Sequence, residues 1–251
     1  MAEAASVTAP DSGTAHVWWA RRQDASPHLA GLLDQAERRR WAAYRRDADR
    51  ERFLVGCALA KTVIAACAGQ RPADVSFDRT CRQCGRAHGK PVINGGGDLE
   101  HSVAHSGDLV AVAVARAPVG VDVEQLDGRA HRLGSGDPDA LARLVLAEDE
   151  RSALAAVPPS GQSRAFLVAW TRKEAVTKAK GDGLQVPFGD VVVAADACAP
   201  RLVAWPYPQA PESVSLLDLA AGTGYVAALA VIGRCETVAG RDGSELLTLR
   251  A

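Results

Sequence analysis

The sequence predicts an α+β fold built from two similar halves. The same order of elements, helices followed by short strands, occurs twice along the chain, and the dipeptide Ala117-Pro118 interrupts the chain between the two series. The chain has 251 residues, of which 47% are hydrophobic, which is enough for one large domain or two small ones. We therefore expect an N-terminal half over residues 1–117 and a C-terminal half over residues 118–251.

The N-terminal half shows clear helix boundaries. Asp34 followed by Glu37 is typical of a helix start with a reciprocal cap. Apolar residues recurring at helical spacing predict a second helix, and Gly69 marks its end. The elements expected in this half are strands at residues 16–20, 100–105 and 109–115, helices at 37–46 and 49–68, and a loop rich in Cys, Gly and Pro at 79–98.

The C-terminal half is predicted to begin with a strand and to carry two long helices. Pro158-Pro159 ends the first of these helices and Gly181 ends the second. The elements expected here are helices at residues 138–156 and 162–180, a loop at 127–137, strands at 119–124, 190–195, 201–205, 213–219 and 225–232, and a last short strand at 245–249.

Composition excludes several classes of protein. Lys and Arg total 29 against 30 for Asp and Glu, so no basic excess indicates nucleic-acid binding. No basic-then-apolar leader is expected at the start, and no apolar run is long enough to cross a membrane. Six cysteines are too few for a disulfide framework in a chain of this size, so we expect reduced thiols and a cytoplasmic location.

The segment Gly120-Val121-Asp122-Val123-Glu124 carries the sharpest chemical signal. Alternate residues of a strand point to the same face, so Asp122 and Glu124 place two carboxylates side by side. Such a pair repels unless a cation or a proton joins it, and Mg²⁺ favours this kind of oxygen donor. A solvated face of an edge strand is the alternative interpretation of the same spacing.

A second signal lies in the segment from Trp170 to Lys178. In a helix, Trp170, Glu174 and Lys178 lie on one face. An ordinary Glu–Lys surface pair over a buried Trp explains this pattern. Beside a metal, however, Glu174 is a candidate third ligand or base, and Lys178 a candidate phosphate donor.

The loop from Cys81 to Pro91 has two interpretations. Cys81, Cys84 and His88 make half of a zinc site, but no second ligand pair follows at zinc-finger spacing. Alternatively, its basic residues, which include Lys90, approach a phosphate. A tight turn then follows at His105-Ser106-Gly107, where these side chains either function or cap the turn.

Two nucleotide-binding motifs are excluded. Gly222–Ala227 matches G-x-G-x-x-A, but a dinucleotide site needs a helix there and residues 225–232 are predicted to be a strand. No P-loop sequence occurs in the chain.

Taken in order, these motifs resemble the 4′-phosphopantetheinyl transferases of the larger, Sfp-type class. The resemblance rests on the His-Gly-Lys-Pro loop, the His105-Ser106-Gly107 turn, Gly-Val-Asp-Val-Glu and Trp-x-x-Lys-Glu-Ala-x-x-Lys, with an Arg-rich helix pair upstream. It implies two α+β halves related by a pseudo-twofold axis, with coenzyme A in the cleft between them. It further implies a monomer, because one chain holds both halves.

The resemblance also implies roles for individual residues. Asp122, Glu124 and Glu174 correspond to Mg²⁺ ligands, and Glu174 also to the base. Lys178 corresponds to a phosphate contact and acid. The other implied coenzyme A contacts are Lys90, His105, Arg39 and Arg52.

One position departs from the family pattern. Many relatives have Ser before the motif His, where this chain has Ala104. A hydroxyl contact to phosphate is therefore missing or replaced, and Ser102, on the same strand face, is a poor substitute.

The implied reaction transfers the phosphopantetheine of coenzyme A to a serine of an apo acyl or peptidyl carrier protein, with release of 3′,5′-ADP. Family analogy favours polyketide, nonribosomal peptide or antibiotic biosynthesis. Two alternatives are a non-catalytic coenzyme A or nucleotide-binding protein and a Mg²⁺-dependent phosphohydrolase on the same fold. Arg129, His131 and Arg132 form the candidate docking segment for the carrier.

Overall fold

The computed structural model describes residues 7–81, 84–126, 138–181, 186–207 and 213–248. Its helices are α1 (Gln35–Ala43), α2 (Asp47–Ala68), α3 (Pro138–Val145), α4 (Glu148–Ala155), α5 (Pro159–Lys180) and α6 (Ser244–Thr248). Its strands are β1 (Thr14–Arg21), β2 (Phe77–Thr80), β3 (Ala87–Ile93), β4 (Glu100–Ser106), β5 (Leu109–Ala115), β6 (Val119–Gln125), β7 (Val192–Val193), β8 (Leu202–Ala204), β9 (Val214–Asp218), β10 (Tyr225–Ile232) and β11 (Thr237–Asp242). The predicted α+β class is confirmed.

Two main sheets form the framework. The first has the order β11-β1-β5-β4, and the second has the order β6-β10-β9. The second sheet is built from the C-terminal half alone, because β6 follows β5 in sequence but pairs antiparallel with β10. The first sheet takes one strand from the C-terminal half, because β11 follows β10 but pairs parallel with β1. The shorter pairs β2-β3 and β7-β8 lie apart from them.

The helices begin and end where local chemistry requires. Asp34 Oδ1 accepts the Glu37 N–H at 2.8 Å and Glu37 Oε2 accepts the Asp34 N–H at 3.0 Å, so the predicted reciprocal cap is confirmed. Gly69 and Gly181, with φ of 65° and 89°, end the two long helices in the left-handed conformation that glycine adopts without a steric penalty.

Three predicted elements were wrong. The expected loop at 79–98 contains most of the β2–β3 hairpin, which is held by strand pairing across a bulge. The helix expected over 138–156 is interrupted at Leu146-Ala147, dividing it into α3 and α4. The expected strand at 245–249 is the short helix α6, and β11, which sequence reasoning missed, precedes it.

The two sheets meet where β4 lies beside β6. The Val121 N–H donates to Ser102 Oγ at 3.1 Å, and the Gln125 N–H donates to Ser106 Oγ at the same distance. Two serines on one face of β4 thus satisfy backbone donors along the edge of β6 that faces away from β10. Among the described residues, no helix is both long enough and apolar enough to cross a membrane.

Candidate active site

A cleft of about 1030 Å³ opens where the two sheets meet, and both halves of the chain line it. The C-terminal half contributes side chains from β6 and α5, and the N-terminal half contributes side chains from α1, α2, β3 and β4. The sequence-predicted residues that line it are Arg52, Lys90, His105, Asp122, Glu124, Glu174 and Lys178.

Strand β6 delivers its two carboxylates to this cleft. Asp122 and Glu124 are 6% and 3% exposed and line the cleft, while Val121 and Val123 point the other way into an apolar core. The predicted alternation is therefore confirmed. A solvated edge-strand face is excluded, because both carboxylates are buried.

Gly120 allows helix α5 to lie directly against β6. A Cβ at this position would overlap the backbone carbonyl of Ala175 and would lie 2.9 Å from Lys178 Cβ. Glycine is required here for close approach and not for an unusual φ. This contact brings the strand carboxylates beside the last two turns of α5.

Over its second half, helix α5 has one partly exposed face, called here the α5 stripe, and is otherwise buried. Trp170, Glu174 and Lys178 are partly exposed and line the cleft, whereas the other residues from Leu167 to Ala179 are buried. The predicted shared face of these three residues is confirmed. An ordinary solvent-facing Glu–Lys pair is excluded, since the stripe faces the carboxylates of β6.

Lys178 joins the helix to the strand. Its Nζ donates to Asp122 Oδ1 at 2.7 Å and to the Val121 carbonyl at 3.1 Å. Burial lowers the pKa of Lys178, but the carboxylates of Asp122, Glu174 and Glu124 raise it by more, so the net pKa lies above its ordinary value. Lys178 is therefore an ammonium ion in the cleft.

Ser106 holds Glu124 in place. Its hydroxyl donates to Glu124 Oε2 at 2.7 Å while it accepts the Gln125 N–H. Sequence reasoning placed Ser106 only at a turn and missed this contact, because β4 and β6 are joined by tertiary packing. The spacing of Ser102 and Ser106 on one strand face was the available signal.

The N-terminal half lines the cleft with basic side chains. Lys90 Nζ lies 2.9 Å from Glu100 Oε2 and 3.0 Å from the Ala179 carbonyl, so it connects the two halves. Arg52 pairs with Asp49 and donates to the Gly107 carbonyl. His105 is an exposed residue at the cleft wall.

Arg39 does not lie in the cleft. It is exposed, and the α1 residues that line the cleft are Glu37 and Arg40. The prediction of Arg39 is corrected for a geometric reason: Arg40 is three residues after the buried Glu37 and shares its helix face, whereas Arg39 is two residues after it and faces away. Arg79 also lines the cleft and was missed.

The departure at Ala104 falls at the junction of the halves. Ala104 is buried on β4 between Ser102 and Ser106 and packs in the core cluster that includes Val123. The Ser102 hydroxyl accepts the Val121 N–H, so this hydroxyl supports the strand. Residues Arg129, His131 and Arg132 lie outside the described residues.

The donor set of the cleft fits a magnesium ion. Asp122, Glu124 and Glu174 offer carboxylate oxygens to one space, and Mg²⁺ binds through few carboxylates together with water and substrate phosphates. The carboxylates do not form a preformed cage. Among the described residues, a different set of three has its ligand atoms all within 4.8 Å of one another: Cys81, Cys84 and His88.

That second cluster lies in the β2–β3 turn. Cys84 Sγ is 2.8 Å from His88 Nε2, and a hydrogen bond from the Arg86 backbone lowers the pKa of the Cys84 thiol. Cys81 is buried, while the other two residues are exposed.

Comparison with known proteins agrees with the resemblance that the motifs indicate. Residues 118–230, which include β6 and α5, match the model of the 4′-phosphopantetheinyl transferase superfamily. This match covers slightly less than half of the chain. A 4′-phosphopantetheinyl transferase of Bacillus subtilis is 31% identical over 140 residues, 56% of each chain. The match therefore spans about half the length of that relative.

Two other members of the 4′-phosphopantetheinyl transferase superfamily match more of the chain. HetI of Nostoc is 28% identical over 82% of this chain and 81% of its own length. Sfp of Bacillus subtilis is 24% identical over 66% of this chain and 68% of its own length. A Bacillus anthracis holo-(acyl-carrier-protein) synthase, solved with CoA (3′,5′-ADP), has a TM-score of 0.37 at 24% identity, covering 46% of this chain and 95% of its own length.

Proposed function

We propose that this protein transfers the 4′-phosphopantetheine moiety of coenzyme A to a serine hydroxyl of an apo acyl or peptidyl carrier protein, releasing 3′,5′-ADP. One observation carries the proposal. Carboxylates from β6 and a Glu–Lys pair from α5 share a single cleft with basic side chains of the other half. The relatives named 4′-phosphopantetheinyl transferases support it.

The cleft suits a pyrophosphate-containing substrate. Lys90, His105, Arg52 and Arg40 surround it on the N-terminal side and would bind the phosphates of coenzyme A through charge-assisted hydrogen bonds. Asp122, Glu124 and Glu174 would hold Mg²⁺, which supplies neutralisation of the charge on the pyrophosphate oxygens.

Two side chains of α5 would handle the proton and the leaving group. Glu174 would accept the proton of the carrier serine, whose oxygen then bonds to the β-phosphorus of coenzyme A. The bond from that phosphorus to the bridging oxygen breaks, and 3′,5′-ADP departs with the electron pair. Lys178 would donate a hydrogen bond or its proton to the departing phosphate. Ser106 would keep Glu124 aimed into the cleft.

The division into halves at residues 117 and 118 is part of the proposal. The chain passes from the first sheet to the second between β5 and β6, at residues 116–118, and this supports two units that close around one cleft within a single chain. A monomer follows from this arrangement, since both walls of the cleft come from one chain. We also propose that it acts in the cytoplasm on carriers of polyketide or nonribosomal peptide synthesis.

A direct transfer assay tests the activity. The protein is incubated with coenzyme A, MgCl₂ and a panel of apo carriers from fatty-acid, polyketide and peptide synthases, and the carriers are weighed by intact mass spectrometry. We expect a gain of one phosphopantetheine on at least one carrier and none after magnesium is chelated. Release of phosphopantetheine without any carrier would identify a hydrolase instead.

The Glu124→Ala variant tests the metal assignment. We expect transfer to fall by more than about 10², because a ligand is lost, with the circular dichroism spectrum retained. Glu148→Gln is the matched control, since Glu148 is 82% exposed on α4 and outside the cleft. Wild-type rates in Glu124→Ala would remove Glu124 from the metal site.

A further inference from the structure

We propose that Cys81, Cys84 and His88 in the β2–β3 turn bind a zinc ion. One ligand atom from each residue lies within 4.8 Å of the other two, and Cys84 Sγ approaches His88 Nε2 to 2.8 Å. Two sulfurs and an imidazole nitrogen gathered within this range can bind one zinc ion, with bonds of about 2.3 Å to sulfur and about 2.0 Å to nitrogen, once the Cys84–His88 hydrogen bond opens by less than about 1 Å.

The backbone of the turn holds the three side chains together. The Cys81 N–H donates to the Arg86 carbonyl at 2.8 Å, and the Gly85 N–H donates to the Cys81 carbonyl at 2.8 Å. Gly85 has a φ of +71°, a conformation that favours glycine. The chain therefore reverses tightly directly after the second cysteine, which returns His88 to the side of Cys81.

Gly89 brings the histidine strand against the first cysteine. A Cβ at Gly89 would lie 2.8 Å from the Thr80 carbonyl and 3.0 Å from Cys81 Cα, which is closer than side chains tolerate. The glycine therefore permits β3 to pass beside Cys81 immediately after His88. The three ligands depend on this approach as well as on their spacing in the sequence.

The ligand types select zinc over magnesium. Thiolate and imidazole are ligands for Zn²⁺ and other thiophilic metals, whereas Mg²⁺ prefers oxygen. Within the described residues, no fourth His, Cys, Asp or Glu joins the group. Cys81 and His88 line the cleft, so a water molecule from the cleft would complete the coordination, and binding would release the thiol protons.

A zinc ion here would brace one wall of the cleft. Lys90 lies two residues after His88 on β3 and bonds to Glu100 and to the Ala179 carbonyl across the cleft. Fixing the turn therefore fixes the strand that carries Lys90. Zinc binding here does not require the proposed transfer activity, although the zinc would support Lys90 in it.

Metal content is the first test. The protein is produced without a polyhistidine tag, kept reduced, dialysed and measured for zinc by elemental mass spectrometry. We expect about one zinc per chain in the wild type and in the control Cys198→Ser, whose cysteine lies outside the cluster, and less than about a tenth in Cys81→Ser/Cys84→Ser. Zinc retained in full by the double variant would overturn the proposal.

Cobalt substitution provides a second readout on the unaltered chain. Adding Co²⁺ alone to reduced, metal-free wild type should give sulfur-to-cobalt charge-transfer absorption in the near ultraviolet, which Zn²⁺ abolishes, and His88→Asn should weaken cobalt binding at least tenfold. The absence of this absorption would overturn the zinc proposal. So would a Cys81–Cys84 disulfide that persists under reducing conditions, seen as an intact mass lower by two hydrogens. The cobalt absorption and the intact mass of the wild type depend neither on transfer activity nor on how the double variant folds.

Discussion

Helices α2 and α5 have the same length and the same internal anchor, but only one of them carries the chemistry. Each has 22 residues, and in each a buried lysine lies 14 residues after the first residue: Lys61 in α2 and Lys173 in α5. Lys61 Nζ is 2.9 Å from Glu37 Oε2, and Lys173 Nζ is 2.5 Å from Glu150 Oε2. The same Oε2 accepts a backbone N–H at the start of α1 or α4.

The two helices differ in the side chains found one and five residues after the buried lysine. In α5 these positions are Glu174 and Lys178, which face the carboxylates of β6. In α2 they are Thr62 and Ala66, and Ala66 is exposed. A shared buried ion pair thus positions a long helix on its sheet in both halves, while the reactive stripe is present on one helix alone.

The largest expected effect separates Lys178 from Lys173, the buried anchor lysine of the same helix. Lys178→Ala should lower the transfer rate by about 10² to 10⁴, the range for groups that handle protons in the reaction. Initial rates with coenzyme A and an apo carrier measure this loss. Arg164→Ala, on the exposed side of α5, is the control and should transfer normally. A Lys178→Ala enzyme as fast as the wild type would remove Lys178 from the reaction.

The anchor lysines are expected to affect stability. Lys173→Met should lower the free energy of unfolding by about 3–5 kcal/mol, because it leaves Glu150 buried without its partner. Lys173 also donates to the carbonyls of Val145 and Phe188. Lys61→Met should lower the free energy of unfolding too, but by about 1–3 kcal/mol less than Lys173→Met does. The reason is that Arg79 Nη2 remains 3.9 Å from Glu37 Oε1. Urea denaturation checks both, and a larger loss for Lys61→Met would contradict the comparison.

A pair of glycine substitutions tests how closely each helix approaches its sheet. Gly120→Ala should cost about 1–3 kcal/mol and should also slow transfer, because its Cβ would displace α5 from β6. Gly56→Ala, on α2, meets Val103 Cγ1 at 3.2 Å and Val110 Cγ1 at 3.7 Å, both side-chain atoms, and gains helix propensity, so a change within about 1 kcal/mol is expected. Thermal unfolding and transfer rates distinguish the two, and equal effects would show that the approach is not special to β6.

Acid should weaken the N-terminal half through His101. Burial lowers the pKa of His101 to about 3, with Lys90 and Arg79 adding to the shift. A folded-state pKa below the unfolded value means that stability is lost as pH falls from about 6.5 towards 3. Between pH 7 and 5.5 the loss is about 1.2 kcal/mol.

The control for this pH effect is His101→Gln. The difference in unfolding free energy between the wild type and His101→Gln, followed by urea titration at each pH, should shrink or reverse in acid. A difference that stays constant with pH would show that His101 does not remain neutral in the fold.

Sequence reasoning was accurate where the signal is local. The cap at Asp34, the end of α2 at Gly69, the alternation of β6 and the stripe of α5 each depend on a few neighbouring residues. The errors fell where partners are distant. Strand β11 has only three apolar or β-branched residues, Thr237, Val238 and Ala239, and it pairs with β1, more than 200 residues earlier in the chain. Which arginine of α1 faces the cleft depends on how that helix packs, so the local sequence did not distinguish Arg39 from Arg40.

Periodicity alone determined which side chains of this protein share a face: Asp122 with Glu124 on a strand, and Trp170 with Glu174 and Lys178 on a helix. These are properties of backbone geometry, so they can be read without knowing the fold. The tertiary structure alone decided that the two faces meet, because β6 pairs with β10, about 100 residues later in the chain, and Gly120 allows α5 to pack closely against β6. Contacts of this kind depend on shape complementarity between distant segments, and no short stretch of sequence encodes it.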